Sequence, residues 1–99
     1  MAAIDIDNYE DADEPMLLSF KVMPNPALDH FTAVIELKEE APVELFLVNS
    51  GTGVIMQRRH LTGNTIYKEI FDLLPAEKGT YILRLAAPKA NAVLKVIMK

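Results

Sequence analysis

At 99 residues, 51% hydrophobic and 24% charged, the chain has room for one domain and one modest core, since a chain this size buries only about two-thirds of its unfolded surface. A formal net charge of −4 and a pI near 5.0 exclude a phosphate-backbone binder, which needs Lys and Arg gathered on one face, so nucleic acid is not an expected partner. The absence of cysteine excludes disulfides, thiolate metal sites and a cysteine nucleophile, and leaves the compartment open.

Residues 1–15 carry Asp5, Asp7, Glu10, Asp11, Asp13 and Glu14 and close on Pro15, where a signal peptide would have a basic start and an apolar core. Like charges repel along this stretch, and it is read as an acidic linker preceding a domain over residues 16–99. Met1-Ala2-Ala3 is read either as the true start of a cytoplasmic protein or as a start placed before a domain cut from a longer exported chain. No apolar stretch approaches the roughly 20 residues that span a bilayer, so no transmembrane segment is expected.

Seven short segments follow, with turn residues between them. Leu17 to Met23 stops at Pro24 and Pro26, which lack the amide hydrogen a ladder needs. His30 to Lys38 alternates, with Phe31, Ala33, Ile35 and Leu37 on one face. Pro42 to Asn49 puts Val43, Leu45 and Leu47 together, and the Gly-rich loop from Asn49 to Gly53 leads into Val54 to Leu61, whose Arg58-Arg59-His60 give it an edge-like character. Thr65 to Leu73 alternates Ile66, Lys68 and Ile70 against Tyr67, Glu69 and Phe71; residues 69–78 also admit a helical turn, and are read as strand then loop. Thr80 to Ala86 and Ala92 to Met98 complete the set. Strands every 8 to 14 residues with no helical stripe predict an all-β chain, an immunoglobulin-like antiparallel β-sandwich of about seven strands.

The residues offer little for chemistry. His30 and His60 fall on different strands, and neither has a second histidine at the spacing of a metal site. The alternating Asp5, Asp7, Asp11 and Asp13 lack the glycine and the distant glutamate of a calcium loop. Ser50 lacks the glycine and the strand-to-helix context of a nucleophile elbow, and Gly51-Thr52-Gly53 joins two strands where a phosphate loop would open a helix. No catalytic residue, metal or cofactor is expected.

Three other features stand out. Pro24-Asn25-Pro26 fixes a sharp turn leading one strand toward the opposite sheet, with Asp29 placed to accept hydrogen bonds from nearby amides. Gly79-Thr80-Tyr81 opens the penultimate strand, where a tyrosine can bury its ring as in a tyrosine corner. In the last strand, Val93, Lys95 and Ile97 face one way and Leu94, Val96 and Met98 the other, so both faces are largely apolar. Such a strand is either central in a sheet or awaiting a neighbour. Its neighbour can be a second copy, giving a homodimer through an edge strand.

Taken in order, Val22 to Asp29, the hairpin segment Val43 to Val54, Leu74-Pro75-Ala76 leading to Gly79-Thr80-Tyr81-Ile82-Leu83-Arg84-Leu85, and the closing Lys95-Val96-Ile97-Met98-Lys99 resemble one family. It is the type A C-terminal sorting domain of type IX (Por) secretion system substrates. The resemblance implies a non-catalytic signal domain on a longer protein, which directs its cargo through the outer-membrane translocon to the surface or surroundings of a Gram-negative bacterium. It further implies the secretion machinery and a sortase-like cysteine protease as partners, with cleavage or surface attachment at the preceding linker. Carried over by motif, the signal residues are Pro24, Asn25, Pro26 and Asp29, then Gly79 and Tyr81, then Lys95, Val96, Ile97, Met98 and Lys99. The family's loop before Gly-x-Tyr is lengthened here by Glu77-Lys78, and the turn after the third strand departs from the usual Asp-x-x-Gly-Lys form. The alternative is an immunoglobulin-like accessory or adhesion module that binds glycan or protein through its loops, in which residues 49–53 or 87–91 would matter and the C-terminus would not.

Overall fold

The computed structural model describes residues 15–73 and 78–99. The predicted acidic linker up to Glu14, and Leu74 to Glu77 of the loop before Gly79, lie outside them. The elements are β1 (Leu17–Met23), β2 (His30–Leu37), β3 (Val43–Asn49), β4 (Ile55–Leu61), β5 (Ile66–Asp72), β6 (Gly79–Ala87) and β7 (Ala90–Met98). Among the described residues every element is a strand, and no helix is long and apolar enough to cross a membrane.

The strands form two antiparallel sheets, one of order β1-β2-β5 and one of order β4-β3-β6-β7. This is the expected sandwich, and β4 sits beside β3 in the larger sheet. β4 carries Arg58, Arg59 and His60 and takes the edge position that their polarity suits. The helical alternative at residues 69–72 is not adopted, because the Tyr67 and Phe71 side chains share the period of a strand and both are buried.

Period-two alternation builds the core. Phe31, Ala33, Ile35 and Leu37 of β2 face Val43, Leu45 and Leu47 of β3 and Tyr81, Leu83 and Leu85 of β6 across the space between the sheets. Phe31 and Phe71, partners in the β2–β5 register, stack with centroids 5.0 Å apart and rings 10° from parallel. Such a pair contributes about 0.5–1.5 kcal/mol beyond its buried area.

The β6–β7 connection is tighter than the sequence suggests. Ala87 pairs with Ala90, so only Pro88 and Lys89 form the turn, and β7 begins two residues before Ala92. Proline presets the first central position and Lys89 supplies the positive φ (61°) that type II turns require at the second. At the same end of the molecule, the Tyr67 hydroxyl accepts from the Asn64 amide at 3.1 Å and donates to the Ala41 carbonyl at 3.4 Å, tying two loops together.

Candidate functional site

The site grows out of the β1–β2 connection. Pro24 and Pro26 end β1, both of their preceding peptide bonds are cis, and the chain leaves the smaller sheet for the edge of the larger one. There Asn25 presents its side-chain amide to β7: its Nδ2 donates to the Lys95 carbonyl at 2.9 Å, and its Oδ1 accepts from the Ile97 amide at 3.0 Å. A primary amide has the donor and acceptor of a peptide group, so Asn25 replaces one residue of a neighbouring strand. Ala27 continues the pairing with its backbone, donating to the Ile97 carbonyl at 2.7 Å and accepting from the Lys99 amide at 2.8 Å, in a parallel bridge opposite Met98. The Ala27 side chain is fully buried, whereas Pro24, Asn25 and Pro26 are exposed.

On its other side the end of β7 is held by β6. Gly79, Thr80 and Tyr81 pair in register with Met98, Ile97 and Val96. Gly79 adopts φ +147°, a conformation rarely open to a side chain, and thereby starts the strand that brings Tyr81 into the core at 1% exposure. Two motifs, the Pro-Asn-Pro corner up to 72 positions away and the Gly-x-Tyr segment, thus converge on the final five. The terminal strand is split by its pleat: Val96 and Met98 are buried, while Lys95, Ile97 and Lys99 face solvent.

Asp29 stands apart. Its carbonyl accepts from the Leu73 amide beyond β5, and its carboxylate lies 2.6 Å from His30 Nδ1. It serves the junction with the smaller sheet, and His30 is the neighbour that meets its side chain. His60 lies 3.6 Å from Glu44 on the outer face of the larger sheet.

The Gly-rich loop uses its polar groups internally. Asn49 Oδ1 accepts from the amides of Gly51 and Thr52, Thr52 Oγ1 accepts from Val54, and Gly53 donates to the Asn49 carbonyl. The amides of Gly51 and Gly53 that a phosphate would need are already engaged within the turn.

Two contributions escaped the sequence reading. Ala27 carries no side-chain signal for a strand bridge, although a small residue directly after the turn is what burial at that corner requires. On the opposite open side, Gln57 Nε2 donates to the Asp72 carbonyl at 2.7 Å and Arg59 Nη2 to the Ile70 carbonyl at 3.3 Å. The period of β4 points both inward with Leu61, a signal legible in the sequence once β4 is taken as an edge.

Charge is distributed unevenly around this site. Residues 78–99 hold Lys78, Arg84, Lys89, Lys95 and Lys99 and no Asp or Glu, within a chain whose formal net charge is −4.

Curated proteins yield no match to this chain. The family model described as the secretion system C-terminal sorting domain matches residues 21–99, a span that contains the Pro-Asn-Pro corner, Gly-x-Tyr and the terminal strand. The chain therefore belongs to the secretion system C-terminal sorting domain family, the type IX sorting domains that its motifs resemble.

Proposed function

We propose that this domain is a non-catalytic address label that directs an attached cargo through the outer-membrane type IX translocon to the cell surface or extracellular space of a Gram-negative bacterium. In this reading a sortase-like cysteine protease removes the domain, or joins the cargo to the surface, at the acidic stretch before Leu17. The observation that supports it is the convergence of Asn25, Ala27 and the Gly79-Thr80-Tyr81 segment on the last five residues. A C-terminal strand clamped along both margins keeps a fixed shape and presents Lys95, Ile97 and Lys99 outward in one constant arrangement.

The test is export of a reporter fused ahead of the domain in a bacterium with the type IX machinery. Deleting Lys95 to Lys99 also removes the buried Val96 and Met98, so it must be paired with the charge reversal Lys95→Glu/Lys99→Glu, which touches only exposed side chains. Retention of both fusions in the periplasm, with the charge variant folded by circular dichroism, is the expected result. Normal export of both would sink the proposal.

A further inference from the structure

The outer margin of β7 is closed over only part of its length. Ile97 directs both its N–H and its carbonyl away from β6, toward Asn25 and Ala27. The β6–β7 register runs from Gly79↔Met98 to Ala87↔Ala90 without a shift, so alternation turns the backbone groups of Lys95, Val93 and Asn91 to the same side. The Lys95 carbonyl is taken by Asn25. The Lys95 amide, both groups of Val93 and those of Asn91 face outward below the corner, next to a Val93 side chain that is 59% exposed.

An unpaired row of alternating donors and acceptors is matched by the backbone of another strand. The side chains beside it select by charge. Arg84 is the register partner of Val93, Lys95 lies at the upper end of the open row, and Lys89 sits in the turn at its lower end. No carboxylate lies anywhere on the β6–β7 hairpin. A second copy pairing antiparallel through the same margin would bring two such cationic hairpins edge to edge, and like charges so placed oppose association.

We infer that Asn91 to Lys95, rather than the last residues, is the strand-addition site of this domain, and that its occupant is an extended acidic segment of a partner protein. This deepens the sorting reading and rests on it for the identity of the partner as a component of the export route. The physical claim concerns the edge alone.

The experiment follows the amide resonances of the isotopically labelled 99-residue chain during titration with a blocked heptapeptide alternating valine and aspartate, and with its valine and lysine counterpart. The acidic peptide should shift and protect the amides of Val93 and Lys95 and leave Ile97 and Lys99 unmoved. Val93→Pro removes an outward N–H without breaking the ladder to β6, and should abolish the response. Arg84→Glu/Lys95→Glu, which leaves the backbone untouched, should weaken acidic-peptide binding about ten-fold and admit the basic peptide. Equal response to both peptides, or shifts confined to the sheet face around Phe46, would overturn the inference. So would slow exchange at Val93 and Lys95 with no peptide present, because the edge would already be occupied by this chain or a second copy. Normal export of a Val93→Pro fusion beside failed export of the Lys95→Glu/Lys99→Glu fusion would remove the edge site and leave the sorting reading standing.

Discussion

Asn25 and Ile97 are joined across 72 positions by a hydrogen bond in which a side-chain amide oxygen accepts from a strand amide at 3.0 Å. With the second bond from Asn25 Nδ2 to Lys95, the asparagine grips the final strand as a peptide unit would. Asn25→Ala removes both bonds while leaving the prolines and the Ala27 bridge in place. A net loss of about 1–2 kcal/mol in unfolding free energy is expected from two exposed hydrogen bonds. Hydrogen exchange should locate it, with faster exchange at Ile97, whose amide loses its acceptor, and little change at β3.

The pleat of β7 separates its core-facing residues from its solvent-facing ones. Val96 is fully buried against the core, and Val96→Ala should cost about 2 kcal/mol by lost burial and an unfilled space. Ile97 is 39% exposed on the opposite face, and Ile97→Ser should stay within about 1 kcal/mol of the parent by urea denaturation. If the machinery reads the outward face, the serine variant is the one that loses export while remaining folded. Equal export of the folded serine variant and the parent would remove Ile97 from the recognised surface.

How much of this was legible in the sequence depends on which residues are asked. The buried sets Phe31-Ala33-Ile35-Leu37 and Val43-Leu45-Leu47 follow directly from period-two alternation, because a half-buried strand has no other way to place its apolar side chains. The edge position of β4 was visible in Arg58-Arg59-His60 for a similar reason. The pairing of Ala27 with Met98 was not, since backbone hydrogen bonds between distant segments leave no mark on residue type. The family resemblance grouped Pro24-Asn25-Pro26 with the last five residues. That Asn25 itself makes the connection required three dimensions, because an asparagine between prolines is equally well explained as a turn residue.

Gly79 offers a test of backbone strain with no confounding contact. A Cβ built there would meet none of the described residues within 4 Å, yet its φ of +147° is rarely adopted by residues with a side chain. Gly79→Ala should therefore destabilise by about 1–3 kcal/mol through conformation alone. The effect should concentrate at the start of β6 and at Met98, its register partner, and be read as a lowered melting temperature with faster exchange there. An unchanged melting temperature would show that alanine is accommodated at this position without strain.

The side of the sandwich away from the terminal strand supplies a control for all of these. The Arg59 guanidinium lies 4.5 Å from the centre of the Phe71 ring, reaches the Ile70 carbonyl, and sits 3.6 Å from Glu69. Arg59→Met keeps much of the apolar stem but removes the stacking charge and the donor that covers the β5 edge. A loss of about 1–2 kcal/mol is expected, with the cation–π and charged hydrogen-bond contributions partly screened at this half-exposed position. Arg59→Lys should recover only part of it, because an ammonium cannot stack and reach the carbonyl in one plane. As Arg59 lies on the opposite margin from Asn25, Asn25→Ala/Arg59→Met should show additive losses in urea denaturation. Coupling well above 0.5 kcal/mol would mean that the two open margins of the sandwich communicate through the core.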